Sequence, residues 1–276
     1  MNVQAPRRGS QRGQAMVEQL VTWTVLALLT FGVFQVGLIY KAKLTFNDAV
    51  FKGAREGSLR NANKDVMRAR IAESLAPLYM GSGGGIDRYA IAVARSQAEN
   101  YYMMADLGGV RVNVLNPTRE IFNIFAVRQY DLVDCNTGVT FNMTFIGGCQ
   151  NNLREARIRQ IPNDNLPGRW SVTPYVNIFT RGQTVQMNLQ DANLLKIQAH
   201  WCYGMEVPFV NRLIHSTLAL LPGDKGPHWN ACQARTSMNH ASGGWTRLYI
   251  PVSSDVIIRM ESPVRCVDQN CTNLAG

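Results

Sequence analysis

The chain has 276 residues, 46% of them hydrophobic, and its 23 glycines and 11 prolines are ordinary for a globular protein. This composition excludes a disordered chain, a collagen-like chain and a multi-span membrane protein. The formal net charge of +9 arises from 28 Lys and Arg against 19 Asp and Glu. The basic residues are scattered, and no aromatic-plus-basic motif accompanies their densest group, Arg154, Arg157 and Arg159. We therefore predict no nucleic-acid partner.

The first predicted element is a membrane-spanning helix over about 19–40, because no charged side chain occurs between Gln19 and Tyr40. As an α-helix this segment is about 33 Å long, enough to cross a hydrocarbon core of about 30 Å. A cleaved signal peptide fits less well, since its apolar run would be shorter and Lys41-Ala42-Lys43 offers no small-residue cleavage site. The lipid bilayer is thus an expected partner.

Glu18 is a single acid at the start of this apolar run, at the fifth position after Gly13. A carboxylate at the bilayer centre costs about 2.5 to 3.5 kcal/mol, and less near the interface, so a charged partner is expected. If the chain were cut after Gly13, the new α-amino group of Gln14 in a neighbouring subunit would be that partner and would fix the axial register of an assembly. The alternative is a signal-anchored protein in which Glu18 only stabilises the N-terminus of its helix.

A basic leader, RRGSQRG, ends at Gly13, and Glu18, the apolar helix and the stretch Ala54-Arg55-Glu56-Gly57 follow it. Together these features resemble the TadE-type minor pseudopilins of the tight-adherence (Tad, or Flp) pilus. The resemblance implies that 1–13 is a leader peptide, that a prepilin peptidase cuts between Gly13 and Gln14, and that Glu18 is the register and recognition acid. Major Flp pilins usually have Tyr after this acid, whereas this sequence has Gln19.

The resemblance also implies partners and a location. The partners are the major Flp pilin, other TadE-type pseudopilins, the prepilin peptidase and the inner-membrane platform of pilus assembly. The expected location is the bacterial inner membrane, with the N-terminus in the cytoplasm and the C-terminal domain in the periplasm. Incorporation into a cell-surface pilus, at its base or its tip, is a further expectation.

No proline occurs between Pro6 and Pro77, so the N-terminal helix is predicted to continue out of the bilayer and to span 14–52. The rest of the chain, 53–276, is predicted to be one exported domain. Its first elements are predicted to be a helix from Lys64 to Tyr79, a flexible Gly-rich connector at 81–85 and a helix from Asp87 to Ala105.

Beyond residue 105 the pattern changes repeatedly between strand and helix. Val110–Leu115 alternates as a half-buried strand does, and Asn116-Pro117 is the expected N-cap and first position of a helix to about Gln129. Further strands are predicted at 139–145, 172–178, 194–204 and 256–261, and a further helix at 208–221. This mixture predicts an α+β fold, in which an antiparallel sheet has helices packed on one side.

All six cysteines lie between positions 135 and 271, and none lies in the apolar segment. An even number confined to one region indicates disulfides and therefore an oxidising compartment such as the periplasm. Sequence alone does not fix the pairing. The pairing we predict joins neighbours in sequence: Cys135 with Cys149, Cys202 with Cys232, and Cys266 with Cys271.

His200, Cys202, His228 and Cys232 could in principle form a tetrahedral zinc site. Their spacings are not those of usual structural zinc motifs, and a Cys202–Cys232 disulfide is the preferred interpretation in an oxidising compartment. No nucleophile elbow, zinc-protease motif or phosphate-binding loop occurs in the sequence. We predict no metal, no cofactor and no enzymatic activity.

Two tryptophans, Trp229 and Trp245, lie in a Gly-, Pro- and Asn-rich stretch at 222–247. This composition predicts a loop, and exposed tryptophans in a loop indicate a candidate contact surface. Trp201, by contrast, falls on the predicted buried side of an alternating strand.

The function predicted from these observations is that of a minor pseudopilin, which takes part in assembly of a Tad/Flp type IVb pilus for surface adherence. The alternative is a signal-anchored periplasmic binding module or adhesin without a filament role. A pseudopilin requires Gly13 and Glu18, whereas an anchored module would tolerate their replacement.

Overall fold

A computed structural model of the protein describes residues 12–80, 85–103, 107–133, 140–141, 153–164, 175–180, 182–222, 225–241, 247–267 and 274. Its first element, α1 (Arg12–Leu59), is a continuous α-helix of 48 residues, about 72 Å long. The sequence places the end of this helix at about Lys52, but the helix continues through Gly53 and Gly57.

Gly53 and Gly57 lie where the second helix, α2 (Lys64–Ser74), packs against α1. A Cβ on Gly53 would clash with Ile71 Cγ1, and a Cβ on Gly57 would clash with Met67 Sδ. These glycines therefore allow close approach of two helices and do not end the first one. The predicted end at Lys52 is corrected for this reason.

Helices and strands alternate in the rest of the chain. In chain order the further elements are a 3₁₀ turn (Ala76–Leu78), α3 (Ile86–Gln97) with a π-helical extension (Ala98–Tyr102), β1 (Arg111–Asn116), α4 (Arg119–Phe125), β2 (Val127–Val133), β3 (Thr140–Phe141), β4 (Leu153–Gln160), β5 (Val176–Thr180), β6 (Gln183–Met187), α5 (Leu189–Ala192), β7 (Leu194–Met205), α6 (Val210–Leu220), α7 (Gly226–Ala241), β8 (Leu248–Arg259) and β9 (Arg265–Val267).

The described strands form antiparallel sheets with the orders β1-β7-β8, β3-β2-β4-β9 and β5-β6. In β7 the buried residues Leu195, Ile197, Ala199 and Trp201 alternate with more exposed ones. Phe46 of α1 packs on Trp201, with 5.6 Å between ring centres. The main core thus lies between the C-terminal half of α1 and the sheet β1-β7-β8. The predicted α+β fold with a long N-terminal helix is confirmed.

Strands β7 and β8 lie along α1 in a fixed register. Near the end of β7, the amide of Val207 donates to Gln35 Oε1 at 2.9 Å. After the end of β8, the amide of Ser262 donates to the carbonyl of Ser58 at 2.8 Å. The β7–β8 connection is therefore near Gln35, and the opposite end of this strand pair is near the end of α1.

The helix predicted after Asn116 starts later and ends earlier than expected. Asn116 ends β1, its side chain donates to the carbonyl of Asp191 at 2.9 Å, and its peptide bond with Pro117 is cis. These contacts hold Asn116 at the sheet, and Thr118 is the N-cap of α4 instead. After Phe125 the chain enters β2, where the sequence predicted continued helix.

The predicted contact loop contains helix α7, which the sequence did not predict. Gly226 and Pro227 begin this helix, and a proline is tolerated in a first turn because its missing N–H has no helical partner there. Strand β8 also begins at Leu248, earlier than predicted, and includes Pro251, which an edge strand tolerates. Positions 81–84 of the predicted connector, most of the predicted strand at 139–145 and the first three residues of the predicted strand at 172–178 lie outside the described residues.

Candidate membrane and assembly surface

The N-terminal half of α1 exposes its apolar side chains. From Met16 to Phe34 the side chains are exposed almost throughout, and Trp23 is 61% exposed. The helix is long and apolar enough to cross a membrane, and its most apolar stretch is almost entirely exposed. A core helix of the same composition would be covered by its own domain. This half of α1 is therefore a candidate membrane anchor, as the sequence predicted.

Gly13, Gln14 and Glu18 lie in the first two turns of α1. The side chains of residues 12–15 are outside the described set, whereas Glu18 is described and exposed. No cation within the described part of the chain forms an ion pair with Glu18. The carboxylate is thus available to a group from outside this part of the chain. Its assignment as a recognition acid stays a prediction.

Three threonine hydroxyls in the anchor are satisfied within the helix. Thr22, Thr24 and Thr30 each donate to the carbonyl of the residue four positions earlier, at 2.8 to 2.9 Å. Unpaired hydroxyl groups are costly in hydrocarbon, so this arrangement suits a helix surrounded by lipid.

Gln35 marks the point where α1 meets the domain. It is fully buried and accepts the amide of Val207 at 2.9 Å. Burial, with a smaller contribution from the Glu206 carboxylate, raises the pKa of Tyr203 to about 12. The sequence analysis did not single out Gln35, although an amide inside an apolar run is a signal that could have found it.

The Ala54-Arg55-Glu56-Gly57 stretch lies in the half of α1 that packs inside the domain. Ala54 is buried, Gly57 is covered by Met67, and Arg55 is exposed. Glu56 pairs with Arg60 at 3.3 Å on the surface. Within the described residues this motif therefore serves the packing of α1 against α2.

The disulfide Cys202–Cys232 joins β7 to α7. These two cysteines form one of the three predicted pairs. Cys266 is also disulfide-bonded, while its predicted partner Cys271, and the predicted pair Cys135 and Cys149, lie outside the described residues.

Beside this disulfide the imidazoles of His200 and His228 stack with 3.4 Å between ring centres. Burial, followed by the neighbouring His228, lowers the pKa of His200 to about 4. Burial and Arg111 also lower the pKa of His228. His200 Nε2 is buried and has no hydrogen-bond partner among the described residues.

The structure brings together the four residues that the sequence analysis weighed as zinc ligands, since His200, Cys202, His228 and Cys232 line one small pocket. Zinc is bound by thiolates, and the sulfurs of a disulfide are not thiolates. No group of three or more His, Cys, Asp and Glu side chains within the described ranges is arranged to hold a metal ion.

Trp229 lies in α7 rather than in a loop and is half-buried. Its indole stacks on the His215 ring of α6 with 5.5 Å between centres, and Lys225 Nζ is 5.3 Å from the indole centre. These contacts hold the α6–α7 hairpin together. The other predicted contact residue, Trp245, is outside the described part of the chain, and a contact surface formed by both tryptophans stays a prediction.

A cleft of about 270 Å³ opens beside the end of β7. Its most buried cation, Arg235 of α7, donates to the carbonyl of Gly108 at 2.9 Å and to Glu99 Oε2 at 3.2 Å. The guanidinium also lies 4.7 Å from the ring centre of Tyr249. These hydrogen bonds join α7 to the π-helical extension of α3 and to the segment before β1. The Arg235–Glu99 pair therefore stabilises the fold.

Residues 13–55 match the family model described as TadE-like protein. The match begins at Gly13, includes Glu18 and extends through most of α1. It confirms the resemblance inferred from the N-terminal motifs and associates the protein in general terms with the Tad pilus machinery. No curated protein and no solved structure matches the chain.

Proposed function

We propose that this protein is a minor pseudopilin that takes part in assembly of a Tad/Flp type IVb pilus for surface adherence. The observation that carries the proposal is the division of α1 into an exposed apolar half that bears Glu18 and a second half that packs one face on an α+β domain. The match of residues 13–55 to the TadE-like family supports the same function. The exposed apolar surface of such a helix contacts lipid before assembly and contacts neighbouring helices after assembly.

In this proposal a prepilin peptidase cuts between Gly13 and Gln14. Cleavage creates an α-amino group at the start of α1, one turn before Glu18. Helices that pack side by side can then pair the amine of one subunit with the Glu18 carboxylate of the next. The pair offsets the cost of holding a carboxylate in an apolar surrounding and sets the axial position of the subunit.

The N-terminus of the inserted protein is in the cytoplasm and the domain is in the periplasm. The Cys202–Cys232 disulfide supports this orientation, because disulfides persist in oxidising compartments. The proposed partners are the major Flp pilin, other TadE-type pseudopilins, the prepilin peptidase and the inner-membrane assembly platform.

A complementation experiment with Glu18→Ala tests the proposal. We expect this variant to be inserted in the membrane at the wild-type level but to lose pilus assembly and surface adherence. Asp48→Ala is the matched control, because Asp48 is also an exposed acid of α1 but lies outside the apolar half and pairs with Lys52 at 2.7 Å. This control should assemble normally.

Full pilus assembly and adherence with Glu18→Ala would contradict the proposal. That result would favour the alternative, a signal-anchored periplasmic binding module or adhesin that has no filament role and no need of this acid.

A further inference from the structure

Helix α6 has an exposed apolar face in addition to its buried one. On the inner side Val210 is buried, and Ile214 and Leu218 pack on the main core. On the other side Phe209, Leu213 and Leu220 are 76%, 61% and 82% exposed. Leu213 and Leu220 are seven residues apart and therefore lie on one side of the helix, and Phe209 is the N-cap residue directly before it. We call Phe209, Leu213 and Leu220 the outer face of α6.

The start of α6 lies at the level of the membrane anchor. Val207, shortly before α6, donates its amide to Gln35 of α1 at 2.9 Å, and α6 itself contacts α1. Gln35 falls inside the predicted span 19–40 and is only about 7 Å along the helix axis from its end at Tyr40. Phe209 is therefore near the depth at which α1 leaves the bilayer.

The surface of α1 at this level is itself apolar and exposed. Val33, Phe34 and Val36 flank Gln35 and are exposed by 75%, 64% and 61%. The outer face of α6 therefore begins at the level of the surface that α1 presents to lipid.

The charge of α6 also suits a membrane. The helix contains no Asp or Glu, Arg212 beside the outer face is exposed, and Lys225 follows shortly after the helix. Lys and Arg beside an apolar helix face are typical of helices that lie in the membrane interface, because they attract anionic lipid headgroups.

We propose that the outer face of α6 is embedded in the periplasmic leaflet of the bilayer that α1 spans. This inference rests on the membrane placement in the proposed function. Lipid is the occupant because the face begins at bilayer depth in each inserted monomer, before any second copy or pilin is at hand. Two attachments, α1 and α6, then hold the domain in one orientation on the membrane.

The test uses the full-length protein in nanodiscs of phosphatidylethanolamine and phosphatidylglycerol whose acyl chains carry a diazirine. After illumination, mass spectrometry locates the labelled peptides. We expect labelling of the peptide 207–222 as well as of the span. The peptide around Ile257 should stay unlabelled, since Ile257 is 59% exposed but lies towards the far end of β8, on the side of Ser58.

The variant Phe209→Ser/Leu213→Ser/Leu220→Ser should lose labelling at 207–222 and retain it in the span. Ile257→Ser is the matched control and should leave the pattern unchanged. Retention of the Cys202–Cys232 disulfide, checked by peptide mapping, shows that each variant is folded.

Labelling of 207–222 no stronger than that around Ile257, or unchanged in the triple variant, would overturn the inference. Crosslinking of 207–222 to a second copy by a bifunctional protein crosslinker, without lipid labelling of this peptide, would also overturn it. If the span is labelled and 207–222 is not, only this inference is contradicted. If the span itself carries no label, the membrane placement in the proposed function is contradicted as well.

Discussion

Gln35, which is fully buried, and His200, which is half-buried, each carry a buried Nε2 atom without a hydrogen-bond partner among the described residues. An unsatisfied buried polar group costs about 1 to 3 kcal/mol. Gln35 compensates through its oxygen, which accepts the amide of Val207 where α1 enters the domain. His200 has a ring neighbour, His228, and this neighbour disfavours a second positive charge. Protonation of His200 is therefore expected to destabilise the stacked histidine pair.

Stability should fall as the pH is lowered from about 6.5 towards 4. The pKa of His200 is about 4 in the folded protein, against 6.5 as its ordinary value, because of burial and of His228 and despite the opposing Asp255. In this window the unfolded chain binds more protons, so the free energy of unfolding rises with pH. The stabilisation is complete above pH 6.5 and is lost as the pH falls through this range.

Thermal unfolding at about pH 7 and about pH 5 measures this effect. His200→Gln should weaken the pH dependence, whereas His240→Gln, at an exposed histidine of α7, should leave it unchanged. If the unfolding temperature depended equally on pH in the wild type and in His200→Gln, the role given to His200 would be contradicted.

At the scale of elements, the packing of α2 on α1 and the disulfide between β7 and α7 hold the domain together. The close approach of α2 to α1 depends on Gly53 and Gly57, whose missing side chains are replaced by Ile71 and Met67. The disulfide Cys202–Cys232 fixes α7 on β7.

Gly57→Ala should lower the free energy of unfolding by about 1 to 3 kcal/mol, since the added methyl group overlaps Met67 Sδ. Gly37→Ala is the matched control on the same helix, because a Cβ there meets no atom within 4 Å. The control should be neutral or stabilising, since alanine favours helix over glycine by about 1 kcal/mol. Chemical unfolding of both purified variants measures the difference, and equal stability would contradict the packing described.

Replacing Cys202 and Cys232 by alanine should lower the free energy of unfolding by about 3 to 4 kcal/mol. The bond closes a loop with a sequence separation of 30, and the chain-entropy model gives this magnitude for such a loop. Denaturant unfolding of the double variant measures the loss. A midpoint equal to that of the wild type would mean that the bond does not restrain the unfolded chain.

Elements with strong local patterns could be predicted from the sequence. Two examples are the apolar run of α1 and the alternation of Leu195, Ile197, Ala199 and Trp201 in β7. Each pattern is local and is sufficient to predict its helix or strand. Helix α7 could not be predicted, because Gly226 and Pro227 indicate a loop and the helix is stabilised by tertiary bonds of Cys232 and Arg235.

In the molecule as a whole, the apolar N-terminal half of α1 is exposed and one face of its C-terminal half packs on the domain. The sequence predicted the candidate anchor and the TadE-like resemblance, because charge, length and the spacing of Gly13 and Glu18 are local properties. It could not predict that Gln35 joins anchor and domain, since the partner Val207 is distant in sequence. Nor could it predict the outer face of α6, because burial of one side of a helix is decided by packing.

The central claim is that this chain is processed and assembled as a pseudopilin. The most direct measurement is the N-terminal residue and mass of the membrane-extracted protein, from cells with and without the cognate prepilin peptidase. We predict a start at Gln14 that depends on the peptidase and is abolished by Gly13→Leu. An intact Met1 in both kinds of cell would contradict the claim.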